Sequence, residues 1–141
     1  MRIILDSGAI IASERNNPIL AALLKAARKN RTPILVPATV VAETWRGPST
    51  HPRTASLFGS VDSFPELNEH SARQVGTLLA ISKTAAIVDG SVVAIAIARL
   101  PATIVTSDVK DIIHLLRSAK VPHAQFGGRV PAAAQVIVVR V

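Results

Sequence analysis

A chain of 141 residues, 49% hydrophobic and 18% charged, is long enough for one real core and too apolar for disorder. It has no cysteine, which excludes disulfides and thiolate metal sites. Its formal net charge of +7 points to an anionic partner, nucleic acid first, or else serves plain solubility. Aromatic residues are only 3%, so base-stacking platforms are poorly supplied and phosphate contacts should dominate any nucleic-acid binding.

Residues 2 to 5 predict a short buried strand ending in Asp6, after which residues 8 to 13 can form a helix. From Pro18 to Asn30, Leu20, Leu23, Leu24 and Ala27 recur at helical spacing, with Lys25, Arg28 and Lys29 on the other side. Pro33 to Val36 predicts a second buried strand, and Thr39 to Arg46 a helix stopped by Gly47 and Pro48. Residues 47 to 65 mix loop with a short helix, and Asn68 to Ser82 is amphipathic. Asp89 to Leu100 is apolar nearly all round and should be a central helix, broken by Pro101. Thr103 to Asp108 predicts a strand, a helix carrying Ile112, Leu115, Leu116 and Ala119 follows, and Val136 to Val141 closes the chain as a strand. Strands alternating with helices predict an α/β fold, a central parallel sheet flanked by helices, in one domain over residues 1–141. The most apolar segment, Thr84 to Leu100, falls short of the ~20 residues of a membrane-spanning helix and holds Asp89 near its middle. The opening MRIILDSG lacks the apolar run of a secretory signal, so a cytoplasmic protein without a membrane partner is expected.

Of the nine acidic residues, Glu14, Asp62, Glu66 and Glu69 lie in polar surroundings. Asp6, Glu43, Asp89, Asp108 and Asp111 instead sit in or beside the apolar stretches IILD, VVAE, AIVD and IVTSDVKDI. Ligands of parallel α/β sheets bind outside the carboxyl ends of the strands, where Asp6 and Asp108 fall. Each acid has a structural alternative. Asp6, Asp89 and Asp108 can cap helices, Asp111 can serve as a first-turn acid, and Glu43 can pair with Arg46 on its own helix. Four separate caps would be a coincidence in a chain with so few acids. Gathered in one place, carboxylates repel and are forced to protonate unless a cation joins them. Oxygen ligands without cysteine favour Mg²⁺, with Mn²⁺ able to substitute, over Zn²⁺. His51, His70, His114 and His123 have no ligand spacing and read as surface or structural residues.

LDSGAIIA, VVAE, VDGSVVAIAIA and VTSDVKD, in this order and in these strand and helix contexts, are similar to the acidic motifs of PIN-domain ribonucleases, and most of all to VapC-type toxins of bacterial toxin–antitoxin pairs. The resemblance covers nearly the whole chain. It implies a PIN-like fold and a catalytic set of Asp6, Glu43, Asp89 and Asp108. Asp6, Asp89 and Asp108 would hold one or two Mg²⁺, and Glu43 would bind directly or through water. Ser7 and Thr106 match polar positions beside the metal, and Asp111 matches a second acid of the last motif. An aromatic commonly follows that acid; here Ile112 stands there, which leaves open whether Asp108 or Asp111 does more of the work. The implied reaction is endonucleolytic hydrolysis of RNA by metal-activated water, with Arg15, Arg46 or Lys110 available to steer the substrate backbone. The implied partners are a VapB-like antitoxin laid across the acidic groove and a second copy of the chain in a homodimer. Two other functions stay open: a catalytically inert PIN-like module that binds RNA or protein, and a receiver-like Mg²⁺ signalling domain. The latter would want adjacent acids after the first strand, and Asp6 stands between Leu5 and Ser7.

Overall fold

The computed structural model describes residues 1–141. Five strands, β1 (Arg2–Leu5), β2 (Ile34–Leu35), β3 (Ala102–Thr106), β4 (His123–Gln125) and β5 (Val136–Arg140), form one sheet in the order β2-β1-β3-β5-β4. Every pairing is parallel, with Leu5 opposite Val105 and Thr106 opposite Arg140. Seven helices flank it: α1 (Ser7–Glu14), α2 (Pro18–Lys29), α3 (Ala38–Thr44), α4 (Pro52–Gly59), α5 (Glu69–Ser82), α6 (Ile87–Ala98) and α7 (Val109–Ser118). Burial on both faces explains why the central strands are continuous runs of Ile, Leu and Val rather than alternating. Ile4, Leu5, Ile104 and Val105 are fully enclosed, and the helices seal them with Ile10, Leu20, Val40, Val92, Ile112 and Leu116. No single helix is long and apolar enough to cross a membrane.

The expected PILV strand shrinks to two residues. Pro33 and Pro37 cannot donate to a ladder, so pairing stops between them. The edge left open is covered by the chain itself. The Ile34 amide donates to Asp62 Oδ2 at 2.7 Å, the Asp62 amide donates to the Ile34 carbonyl, and the Val36 amide donates to the Ser63 carbonyl. Glu14, at the end of α1, is also structural. His51 provides no side-chain cap for α4, and the Glu14 carboxylate replaces it by accepting from the Thr54 amide at 2.9 Å and the Thr54 hydroxyl at 3.0 Å. Partial burial pushes the Glu14 carboxyl up, but these bonds and the Arg53 contact outweigh it and hold the group below its ordinary value.

α1 and the β3–α7 turn approach so closely that only glycine fits at position 8. A Cβ there would stand 2.7 Å from the Ser107 amide nitrogen, which is backbone and cannot swing away. Gly8→Ala is therefore expected to cost about 1–3 kcal/mol in stability, as an overpacked contact does. A denaturation midpoint equal to the parent's would show that the two turns are free to separate.

Candidate metal centre

The carboxyl edges of β1 and β3, the two central neighbours, deliver Asp6 and Asp108 to one place. Asp6 is 3% exposed and is the N-cap of α1. Its Oδ1 accepts from the Ser7 amide and its Oδ2 from the Thr106 hydroxyl, both at 2.7 Å. The Thr106 oxygen in turn accepts from the Asp108 amide at 2.9 Å. One enclosed hydroxyl thus ties the first acid to the turn that carries the last. Capping and ligation are compatible here, because each Asp6 oxygen keeps a lone pair beyond its single bond.

Asp108 occupies the N-cap position of α7 but makes no side-chain cap bond, so its carboxylate is free. Asp111 lies in the first turn of the same helix, and Asp89 in the first turn of α6 rather than at its cap. One carboxylate oxygen each from Asp89, Asp108 and Asp111 lie within 4.8 Å of one another. Small side-chain adjustments bring such a trio to the ~2.1 Å oxygen distance of Mg²⁺. Of the expected ligands Asp6, Asp89 and Asp108, the last two belong to this trio, Asp111 joins it, and Asp6 stands behind it. Glu43 is exposed on α3 rather than half buried, and it makes no ion pair with Arg46. The one ion pair of the chain is Arg73–Glu69, on the surface of α5. Arg15, Arg46 and Lys110 are all exposed, and none touches an acid of the cluster. The Arg46 guanidinium instead donates to the carbonyls of Ala42 and Trp45.

Electrostatics record the crowding. Desolvation, then the charges of Asp6, Asp108, Asp111 and Glu43, push the Asp89 carboxyl up to about 7. Burial is also the main cause that raises Asp6, opposed by the bonds from Thr106 and Ser7 and reinforced by Asp108. Asp89 thus feels four other carboxylates, and no salt bridge joins a cationic side chain to any of the five. The donor set is all oxygen, it carries excess negative charge, and the nearby Ser7 hydroxyl is 8% exposed without a hydrogen-bond partner. These features fit a hard divalent cation, which would supply the missing charge. The buried Thr39 hydroxyl, one turn before Glu43 on α3, is likewise without a partner. Asp108 and Asp111 open to solvent, and a groove of about 590 Å³ between α5, α6 and the segment 63–68 includes none of the five acids. An open acidic edge suits a polymer better than an enclosed small molecule.

Comparison with known proteins extends the likeness of the fold. The chain superposes on a chain of VapBC2 from Rickettsia felis, a complex bound to a DNA fragment from its promoter, with a TM-score of 0.61 and 19% identity, over 80% of this chain and 92% of that one. It superposes on a chain of FitAB bound to an IR36 DNA fragment with a TM-score of 0.56 and 20% identity, over 80% and 90%. No family model and no curated protein matches the sequence. The architecture, a central parallel sheet of five strands with seven flanking helices, is a PIN-like α/β fold.

Two measurements test this geometry. Because the Asp89 carboxyl titrates near 7 in the folded protein and near 3.8 when unfolded, the native state binds the extra proton between those values. Its contribution to metal-free stability is present at low pH and is lost as pH rises through about 7. The melting temperature in EDTA should fall from pH 5 to pH 8, the fall should shrink in Asp89→Asn, and Mg²⁺ should restore stability at pH 8. A profile unchanged by Asp89→Asn would disconnect the cluster from stability. Separately, Thr106→Val leaves a buried Asp6 oxygen unsatisfied and should cost about 1–3 kcal/mol. A midpoint equal to the parent's would show that Asp6 finds another donor.

Proposed function

We propose that this chain is a metal-dependent endoribonuclease, the toxin of a VapBC-type toxin–antitoxin pair. The observation that carries the reading is the gathering of Asp89, Asp108 and Asp111 within 4.8 Å of one another, with the charges of Asp6 and Glu43 also felt at Asp89 and no ion pair to any of them, in a chain of net charge +7. Positive charge elsewhere on the surface attracts a polyanion, while the acids create a local demand for a divalent cation. The likeness to chains of two complexes, VapBC2 and FitAB, supports the toxin–antitoxin setting.

In this reading Asp89 and Asp108 would hold Mg²⁺ or Mn²⁺ with Asp6 or Asp111, and Glu43 would bind at the rim. When bound, the cation activates water and offsets charge on the phosphoryl group, usually the largest catalytic term. Thr106 orients Asp6, and its hydrogen bond opposes the burial that raises the Asp6 carboxyl. Asp89 gives up its proton as the site is loaded, so loading releases protons below pH 7. Ser7 completes its hydrogen bonding in the loaded site. Arg15, Arg46 and Lys110 contact the substrate backbone. The partners are RNA, a VapB-like antitoxin across the acidic edge, and a second copy of the chain in a homodimer. The protein acts as one domain in the cytoplasm.

The test is cleavage of total RNA in Mg²⁺ or Mn²⁺, against EDTA and against Asp6→Asn and Asp89→Asn. Metal-dependent fragments from the parent, reduced at least 100-fold in either variant, are expected from the loss of a metal ligand. Equal cleavage by Asp89→Asn would overturn the site assignment. Absence of cleavage together with absence of Mn²⁺ binding would favour an inert binding module.

A further inference from the structure

The side of the acidic edge formed by β5 and β4 carries two groups that the reading above does not use. Arg140, the last residue of β5, pairs in register with Thr106. Its guanidinium reaches over the turn and donates to the Ser107 carbonyl at 3.4 Å, one residue before Asp108. It stands beside an acidic cluster yet forms no ion pair with it. Its charge is therefore available at the edge of the candidate centre.

One strand further out, the Phe126 amide donates to the Val138 carbonyl at 2.8 Å, which ties its backbone to the sheet. The next residues close a turn: Gly128 N donates to the Gln125 carbonyl at 3.3 Å, and Gly127 has φ +96. A positive φ at the third position is the type II pattern, which requires glycine there. Phe126 occupies the second position, at the crest of that turn. Its ring is 68% exposed, more than any other large hydrophobic side chain of the chain. Single exposed apolar residues are ordinary. This one is held by a hydrogen-bonded turn on the same carboxyl edge as the acids. With strands about 4.8 Å apart, it lies roughly 10 Å across the sheet from Thr106.

We infer that Arg140 and Phe126 form a contact track for single-stranded RNA along the β5–β4 side of the centre. Arg140 takes a phosphate next to the cleavage point, and Phe126 offers a stacking face to a base further along. The inference rests on the nuclease reading. A guanidinium suits phosphate oxygens. An aromatic face accepts any base without reading its identity. Together they give affinity and direction to the strand but not sequence preference.

The test uses the full chain and a labelled single-stranded oligoribonucleotide, with anisotropy measured in EDTA over a range of salt so that cleavage does not intervene. Arg140→Gln should reduce the slope of log affinity against log salt by about 0.7, one phosphate contact, and Arg140→Lys should retain it. Phe126→Ala should weaken binding roughly 5- to 100-fold, and Phe126→Trp should keep parent affinity. Both positions are exposed, so melting temperatures should match the parent's. In Mn²⁺, both losses should raise KM for cleavage and leave kcat nearly unchanged. If the parent cleaves RNA but Arg140→Gln and Phe126→Ala match its affinity and salt slope, this track is wrong and the nuclease reading survives. If the parent neither binds nor cleaves RNA, both readings fail. If the variants lose a protein partner while RNA affinity is untouched, the face docks protein and the inference is overturned.

Discussion

The Thr106 hydroxyl bonds on both of its sides, donating to Asp6 and accepting from the Asp108 amide. It is fully buried, so neither bond is exchanged with water. Through it the ends of two neighbouring parallel strands are held as one unit, which fixes the Asp6 carboxylate relative to the backbone that carries Asp108. Gly8 reinforces this by letting α1 press against Ser107. The cluster therefore carries its crowding as a fixed property of the fold. Burial first, and then this crowding, push the Asp89 carboxyl up to about 7, a group poised to exchange its proton for a cation.

Charge is divided unevenly over the molecule. Nearly all cations stay unpaired, since Arg73–Glu69 is the one ion pair, and two of the four acids outside the centre do structural work. Asp62 closes the edge of β2, and Glu14 caps α4. Such a distribution gives little stability through ion pairing, which is worth little at a surface in any case. It leaves a positive field around a small negative focus. A cation bound at that focus would lessen its repulsion of an approaching polyanion.

Much of this was legible in the residues themselves. Buried strands announce themselves as IILD and TIVT, and an acid ending or interrupting such a run stands out against the cost of burying charge. The three acids whose oxygens come within 4.8 Å of one another, Asp89, Asp108 and Asp111, are among the five that lie in or beside apolar stretches. What was not legible depends on tertiary placement. His123–Gln125 is too short to show any period, and β2 is cut by the prolines at both ends. Glu14 and Asp62 look like ordinary surface acids until their partners, 40 and 28 residues away, are seen. Asp111 joins Asp89 and Asp108 because of where α7 starts relative to α6. Arg140 is placed beside Ser107 by strand register alone, and Phe126 by a turn whose glycine signal is readable but whose position in the sheet is not.

The central claim is that these carboxylates hold one kind of ion in one place. Diffraction from crystals soaked in Mn²⁺, recorded for its anomalous signal, tests it directly. A peak bounded by Asp89, Asp108 and Asp111, with Asp6 beside it, is the predicted result, and Asp89→Asn should weaken or abolish it. An empty cluster at saturating Mn²⁺, or a peak at surface acids such as Glu66 or Glu69 instead, would contradict it.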